Sequence, residues 1–129
     1  MEISNILKNS KTIAVLGISS NPNRTSRMIA EYLDYAGYKV VGVNPGKPII
    51  EGMEVFSKLE DIPFEIDIVN VFRKSEDIPQ IIPSVLSVKP KVLWLQLGIE
   101  NDKAVQPCID AGIKVIQDKC IKIEHSYYL

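Results

Sequence analysis

A glycine followed by hydroxyl and cationic side chains is the first place in this sequence that could do chemistry. The stretch IAVLGISSNPNR runs an apolar segment into Gly17, and Ser19, Ser20 and Arg24 follow. Glycine allows a sharp turn, serine hydroxyls donate hydrogen bonds to phosphate, and arginine adds a forked cationic contact. The dinucleotide fingerprint Gly-x-Gly-x-x-Gly is incomplete here. The stretch therefore predicts a phosphate-binding turn, although serines that cap a helix and a solvated arginine would give the same sequence.

The residues after the second apolar run argue against NAD as the ligand. NAD enzymes usually carry an acid about 20 residues beyond the first turn, where it binds the ribose 2′-hydroxyl. This chain has Asn44, Pro45 and Lys47 there, and its next carboxylate is Glu51. Because Lys47 favours a phosphate over a diol, an adenine nucleotide with a phosphorylated ribose fits better than NAD.

Further polar or turn-forming residues end the third and fourth apolar runs: Phe72, Arg73, Gln96, Leu97 and Gly98. A single arginine after a strand is more often a solvated surface residue. The carboxyl ends of parallel strands, however, meet at one edge of a sheet, which is where ligands bind in open α/β folds. Arg24, Lys47 and Arg73 would converge at that edge, and three cations together favour an anion site.

The elements that must position these residues alternate short apolar runs with helical patterns. The predicted strands are residues 11–18, 38–45, 65–73, 91–99 and 113–117, and the predicted helices are residues 2–9, 25–37, 101–112 and 119–125. Several strands are apolar on both faces, as parallel strands covered by helices must be. The sequence predicts an α/β fold with a Rossmann-like, doubly wound parallel sheet of five strands in the order 3-2-1-4-5.

Two segments fit this pattern less well. Residues 75–89 have helical spacing, but Pro79 and Pro83 would remove interior hydrogen bonds, so we expect a kinked or interrupted helix. Residues 45–63 are rich in glycine and proline and too irregular for a crossover helix. A small hairpin and one short helix are expected there.

The composition of the chain excludes several function classes. It has 129 residues, 15 basic and 16 acidic side chains and no block of like charge, which predicts one domain over residues 1–129 and no nucleic-acid or membrane partner. Two cysteines without a CxxC spacing, together with one histidine, argue against a disulfide framework and a metal site. The amino-terminal MEISNILKNSK does not look like a signal peptide, so a cytoplasmic protein is expected.

Five stretches together resemble the small stand-alone CoA-binding domain proteins: GISSNPNR, VVGVNP, IDIVNVFR, LWLQLGI and QDKCIKIEH. They span residues 11–125, and the same fold is similar to the N-terminal CoA-binding domain of the succinyl-CoA synthetase α subunit. The resemblance implies coenzyme A as the ligand. It also implies CoA contacts along four strand ends, at Gly17, Ser19, Ser20, Arg24, Asn44, Pro45, Phe72, Arg73, Gln96, Leu97 and Gly98.

Catalytic residues are harder to find in the sequence than binding residues. The one histidine, His125, stands near the chain end, and the sequence shows no set of nucleophile, base and orienting group. We therefore expect a protein that binds a small molecule, CoA or an acyl-CoA, without evident catalysis of its own. The alternatives are an NAD(P)-linked oxidoreductase, the CoA-binding half of an acyl-CoA ligase completed by another chain, and an interaction module with a vestigial pocket.

Cys120 raises one further hypothesis. It follows the last strand and opens the final short helix beside Lys119, and reactive cysteines occur at helix starts beside cations. If the site binds CoA, which itself ends in a thiol, Cys120 could form a mixed disulfide with it. The alternative is a buried cysteine that acts as a small hydrophobic residue.

Overall fold

Six short parallel strands form the sheet in the computed structural model, which describes residues 2–129. In chain order they are β1 (Thr12–Leu16), β2 (Lys39–Val43), β3 (Val55–Phe56), β4 (Ile68–Val71), β5 (Val92–Leu95) and β6 (Lys114–Ile116). Their order across the sheet is β3-β2-β1-β4-β5-β6, and every neighbouring pair is parallel. The first strand is therefore central, with Val15 level with Gly42 on one side and Asn70 on the other.

The predicted doubly wound parallel fold is confirmed, but the sheet has six strands rather than five. The additional strand, β3, lies in the segment 45–63, where only a hairpin and a short helix were expected, and its two residues are too few to show a period. With β3 included, the predicted third strand, residues 65–73, is the fourth strand along the chain, β4. It lies beside β1 and not at the sheet edge, as suits a strand whose four residues are all buried.

Helices cover both faces of the sheet. They are α1 (Glu2–Asn9), α2 (Thr25–Tyr35), α3 (Ile78–Val88), α4 (Asp102–Asp110) and α5 (Ile121–Tyr128), with short 3-10 helices at Leu59–Asp61 and Ser75–Asp77. One apolar core joins α1, α2 and α5 to the sheet, and a second joins α3 and α4 to it. Within residues 2–129 no helix is long and apolar enough to cross a membrane.

The proline-containing segment 75–89 forms a 3-10 helix followed directly by α3. Pro79 lies in the first turn of α3, where a backbone N–H would have no partner inside the helix. Pro83 lies inside the helix, which continues past it to Val88. The change of helix type thus comes before the prolines, and the segment still provides a full helix against the sheet.

The connections after β1 and β4 leave the sheet on opposite faces. The chain goes from β1 to α2 on one face and from the neighbouring β4 to α3 on the other. A crevice opens where two such connections diverge at the carboxyl ends of adjacent strands, and this is the position at which doubly wound folds bind ligands.

Candidate functional site

Gly17 sets how closely the carboxyl ends of β1 and β4 approach. Its φ is +92°, and a Cβ at this position would lie 2.5 Å from the backbone oxygen of Phe72 and 3.5 Å from Nε of Arg73. No side chain fits so close to a backbone carbonyl, and the positive φ also favours glycine. The glycine therefore brings the turn after β1 directly against the first two residues after β4.

Hydrogen bonds within residues 19–26 hold the turn in one shape. The Ser19 N–H donates to Oγ of the buried Ser26 at 3.1 Å, and the Asn21 N–H donates to Oγ of Ser19, also at 3.1 Å. Ser19 Oγ accepts in this contact, so its own proton stays available for an acceptor outside the loop. Arg27 donates to the Ser20 carbonyl at 2.6 Å and ties the middle of the loop to α2.

The start of α2 is open to a ligand. Arg24 is its N-cap residue and makes no side-chain cap, and the first turn contains no acid. The unpaired N–H groups and the positive end of the helix dipole therefore face a cleft of about 420 Å³. We call this the α2 cleft, and its lining residues are Gly17, Ser19, Asn23, Arg24, Thr25, Ser26 and Phe72. Such a combination of N–H groups, hydroxyls and an arginine suits a phosphate group.

A second, smaller cavity opens on the opposite face, between the ends of β1 and β2 and the start of α3. It has a volume of about 150 Å³. We call it the α3 cavity, and its lining residues are Leu16, Val43, Pro45, Ser57, Lys58, Leu59, Arg73, Gln80, Ile81 and Ser84. Arg73 lines this cavity, and its Nε lies close to Gly17, which lines the α2 cleft.

The Asn44 side chain is occupied by the backbone. Its Nδ2 donates to the Ile18 carbonyl at 2.8 Å, and its Oδ1 accepts from the Gly46 N–H at 2.8 Å. Asn44 thus fastens the loop after β2 to the loop after β1. Lys47 ends this tight turn with a positive φ of 45° and an exposed side chain.

The residues at the end of β5 also make internal contacts. Gln96 is 4% exposed, and its Oε1 accepts from the Ile121 N–H at the start of α5 and from Asn70 Nδ2, both at 3.3 Å. The N–H of Gly98 donates to Oδ1 of Asp118 at 2.7 Å. Leu97, by contrast, is 61% exposed.

The structure distributes the predicted site residues over three groups. Gly17, Ser19, Arg24 and Phe72 line the α2 cleft, and Pro45 and Arg73 line the α3 cavity. The remaining five lie at the same edge of the sheet but line neither concavity: Ser20, Asn44, Gln96, Leu97 and Gly98.

Sequence reasoning missed several lining residues. Asn23, Thr25 and Ser26 follow the glycine turn directly, so their place in the α2 cleft could have been inferred from the helix start. Ser57 and Lys58 follow the short strand β3, and its two residues are too few to form an alternating apolar pattern that would predict a strand.

The cations at this edge have no acidic partner. Within residues 2–129 the ion pairs involve Arg27, Lys91 and Lys114, so Arg24, Lys47 and Arg73 lie more than 4 Å from any carboxylate oxygen. Arg73 is half-buried, whereas Arg24 and Lys47 are exposed. Unpaired positive charge beside a helix start favours an anionic ligand.

His125 packs away from this edge. Its Nδ1 lies 2.8 Å from the Tyr32 hydroxyl, and its ring meets Tyr32 and Tyr38 edge to face. Burial lowers the pKa of His125 below its ordinary value. The half-buried histidine therefore joins α5 to α2 and lines neither concavity.

Comparisons with known proteins show the family to which the chain belongs. The family model described as CoA binding domain matches residues 11–126. Uncharacterized protein YneT of Bacillus subtilis strain 168 is 42% identical over 125 residues, which cover 97% of this chain and 93% of that protein.

Solved structures give the same answer for the fold. A Thermus thermophilus protein matches with a TM-score of 0.95 and 35% identity, covering 99% of this chain and 97% of the other. The dinucleotide forming acetyl-coenzyme A synthetase 1 of Ca. Korarchaeum cryptofilum, in complex with phosphate and ADP, matches with a TM-score of 0.74 and 21% identity. The match covers 89% of this chain and 27% of the synthetase chain. At this identity the likeness concerns the fold alone. The family match over nearly the whole chain shows that this protein belongs to the CoA binding domain family.

Proposed function

We propose that this protein binds coenzyme A, or an acyl-CoA, at the carboxyl edge of its sheet and has no catalytic activity of its own. The observation that carries the proposal is the uncapped start of α2, which faces the α2 cleft beside Gly17, Ser19 and Arg24. The membership of the CoA binding domain family supports CoA as the ligand. The two free cysteines are consistent with a protein of the reducing cytoplasm.

The pyrophosphate of CoA fits the α2 cleft best. Its negative charge meets the free N–H groups of the first turn of α2 and the guanidinium of Arg24. The Ser19 hydroxyl adds a donor, since its oxygen already accepts from the Asn21 N–H and its proton is free. Gly17 keeps this turn against the residues that follow β4, because a Cβ at this position would collide with the Phe72 oxygen.

The loop after β2 favours a phosphorylated ribose over the free diol of NAD. A diol needs a carboxylate acceptor, and the only acceptor side chain at the end of this strand, Asn44, already bonds to Ile18 and Gly46. Lys47 lies exposed three residues further on, without an acid within 4 Å among residues 2–129. The 3′-phosphate that distinguishes CoA from dephospho-CoA would have its cation here.

The lining of the α2 cleft argues for binding rather than catalysis. Its hydroxyl groups belong to Ser19, Thr25 and Ser26, and no histidine or carboxylate joins them in the lining. The Ser26 hydroxyl oxygen also accepts a hydrogen bond from the Ser19 N–H. A serine nucleophile needs a base within hydrogen-bond reach, and none of these residues has one in the cleft.

Isothermal titration calorimetry with CoA, dephospho-CoA, NAD and ATP tests the proposal. CoA should bind most tightly, dephospho-CoA more weakly, and NAD least, because the loop after β2 offers a cation and no free acceptor. Lys47→Ala should reduce the preference for CoA over dephospho-CoA, whereas Lys8→Ala, on α1 at the other end of the sheet, should not. NAD binding as tightly as CoA would contradict the proposal and favour the oxidoreductase alternative.

A further inference from the structure

The outer side of β6 is an open edge of the sheet. β6 is the last strand in the order β3-β2-β1-β4-β5-β6, and among residues 2–129 it pairs with β5 alone. The Lys114 N–H donates to the carbonyl of Lys91, on the β5 side, at 3.1 Å. The bonding groups of successive strand residues point in opposite directions, so the N–H and C=O of Val115 point outward. An outward N–H and C=O on an edge strand can pair with a further strand.

An apolar groove of about 420 Å³ runs along this edge between α1 and α4. We call it the β6 groove, and its aliphatic lining residues are Ile3, Ile6, Ile109, Ile113, Val115 and Ile116. The two helices flank the edge without covering it, since Ile109 is 48% exposed and Val115 and Ile116 are half-buried. Aliphatic side chains grouped beside an unpaired strand favour a protein partner over a polar small molecule.

The charges at the groove are balanced within one chain. Lys114 on β6 contacts Glu2 on α1, and both side chains are exposed. A lysine on an edge strand normally opposes edge-to-edge pairing, because two such strands bring like charges together. Here each Lys114 would arrive with its own Glu2, so two copies of the edge bring equal numbers of opposite charges. The β6 groove is therefore complementary in charge to itself.

A second copy of the chain fits this edge better than an extended peptide does. β6 has three residues, and within it Val115 alone points both backbone groups outward. A peptide would gain few backbone hydrogen bonds from so short a strand, and those bonds supply the affinity of strand addition. A second copy adds its own aliphatic groove to the contact. Across a two-fold axis identical strands pair antiparallel, so each Val115 N–H donates to the Val115 carbonyl of the other copy.

We propose that the β6 groove is the interface of a two-fold symmetric dimer, in which β6 pairs antiparallel with β6 of a second copy and the two sheets become continuous. Val115 lies opposite Val115, and Lys114 lies opposite Ile116. Val115 packs against the core on the α4 face, so on that face it meets its counterpart beside Ile109. The antiparallel pairing turns the carboxyl ends of the two sheets in opposite directions. Both α2 clefts stay open, and the dimer forms with or without CoA.

Sedimentation velocity over a range of protein concentrations tests the dimer. The mass should rise from that of one chain, 14.4 kDa, towards twice that value, equally with and without CoA. Ile109→Lys brings like charges together at the axis and should raise the dimer dissociation constant about tenfold or more. Ile123→Lys is the matched control, because Ile123 is exposed on α5 and does not line the groove. Val115→Pro should also weaken the dimer, since it removes the outward N–H and spares the bonds to β5.

A cysteine cross-link tests the register of the two strands. In a hydrogen-bonded antiparallel pair the opposite Cα atoms are about 5.5 Å apart, which is within the range of a disulfide. Val115→Cys in a Cys120→Ser background should therefore give a covalent dimer when diamide takes up the two electrons and two protons of the paired thiols. Ile123→Cys in the same background should not.

The outcomes separate this dimer from other uses of the edge. A wild-type protein that keeps the mass of one chain at every concentration overturns the proposal and leaves the edge to an extended segment of another protein. A dimer that survives both Ile109→Lys and Val115→Pro uses another surface and overturns it equally. Equal cross-linking at positions 115 and 123 would contradict the two-fold pairing of β6.

Discussion

The two ends of the sheet carry charge in different ways. The larger concavity, about 570 Å³, lies at the amino ends of the strands, between α1 and the starts of β5 and β6. Its cations are paired, since Lys91 lies 3.3 Å from Asp67 and Lys114 contacts Glu2. At the carboxyl ends the α2 cleft and the α3 cavity are smaller, about 420 and 150 Å³, and Arg24 and Arg73 beside them have no acid within 4 Å among residues 2–129.

This contrast supports the proposed site at the carboxyl end, because the two ends differ in whether their charges are paired and not only in the size of their concavities. Asp67 at the amino end accepts from the Lys11 and Thr12 N–H groups and from Lys91, so it joins the starts of three strands. Those contacts are complete without a ligand. At the carboxyl end the start of α2 and its neighbouring cations remain without partners, which is what an anion site requires.

Gly17→Ala, at the carboxyl end of the sheet, should have the largest effect on stability and on CoA binding. The new Cβ would lie 2.5 Å from the Phe72 oxygen at a φ of +92°, so the backbone must shift. Backbone strain of this kind costs about 1–3 kcal/mol, and the collision adds to it. We expect a lower free energy of unfolding in urea and loss of CoA binding by calorimetry.

Gly112→Ala is the matched control for Gly17→Ala, at the other end of the sheet. Gly112 has a φ of +87°, but nothing lies within 4 Å of the position of its Cβ. The strain is therefore present without the collision, and we expect a smaller loss of stability with unchanged CoA affinity. Equal losses of CoA affinity in the two variants would show that the carboxyl end is not the binding end.

Removing one cation from each end should change CoA affinity at one end only. Arg24→Ala and Arg73→Ala each delete a charge-assisted contact worth about 1.5–3 kcal/mol, so the dissociation constant for CoA should rise about tenfold or more. Lys91→Ala removes the same charge beside Asp67 and should leave the dissociation constant unchanged. Calorimetry on the three variants decides, and an unchanged affinity in Arg24→Ala would refute its proposed role.

Asp67→Asn should change stability but not binding. Burial raises the pKa of Asp67, but the hydrogen bonds from Lys11 and Thr12 and the contact with Lys91 outweigh it, and the pKa lies below its ordinary value. The unfolded chain therefore takes up the proton at a higher pH than the folded chain does. The stabilisation is complete above the unfolded pKa of about 3.9 and is lost as the pH falls through the folded pKa.

The expected loss in Asp67→Asn is about 1–3 kcal/mol at neutral pH, the cost of weakening hydrogen bonds to a buried charge. Urea unfolding as a function of pH measures it, and the variant should lack the part of the acid destabilisation below about pH 4. The pKa of His125 is also lowered by burial, so its protonation destabilises the fold as the pH falls below the unfolded histidine pKa of about 6.5, and it should do so equally in both proteins. A weakened CoA affinity in Asp67→Asn would contradict the division between the two ends.

The sequence predicted the α2 cleft better than the α3 cavity, and chain connectivity explains why. The cleft is built from one continuous stretch, an apolar strand, Gly17 and the start of α2, so local patterns reveal it. The walls of the α3 cavity come from β1, β2, the end of β3, a 3-10 helix and α3, which meet only in the folded chain. No local pattern brings Ser57 and Ser84 together.

Internal hydrogen bonds explain why the sequence alone does not show which polar residues at the strand ends are available to a ligand. Asn44 and Gln96 are polar residues at strand ends, which is the pattern expected of ligand contacts. The structure shows that Asn44 bonds to Ile18 and Gly46, and that Gln96 bonds to Ile121 and Asn70. A sequence reveals that a side chain is polar, but not which backbone groups already use its donors and acceptors.

The smallest expected effect is a difference in thiol reactivity between the two cysteines. Cys108 belongs to α4 and is 0% exposed in the core, and burial raises the pKa of its thiol. Cys120 is half-buried at the N-cap of α5, and its side chain makes no cap hydrogen bond. Trp94 Nε1 donates to the carbonyl of Lys119 at 2.8 Å, so the backbone beside Cys120 is held at the end of the sheet that carries the α2 cleft.

Iodoacetamide should therefore alkylate Cys120 in the folded protein and reach Cys108 only after unfolding, because burial shields that thiol and keeps it protonated. With CoA disulfide, attack by the Cys120 thiolate would form Cys120–S–S–CoA and release one CoA thiolate. Intact-mass and peptide-mass spectrometry would locate the adduct, with Cys120→Ser as the control that abolishes it. Glutathione disulfide tests whether binding of the nucleotide speeds the exchange at Cys120. Because it lacks the nucleotide, it should react more slowly than CoA disulfide. Equal rates with the two disulfides, or equal adducts on Cys108, would show that the carboxyl end does not guide the exchange.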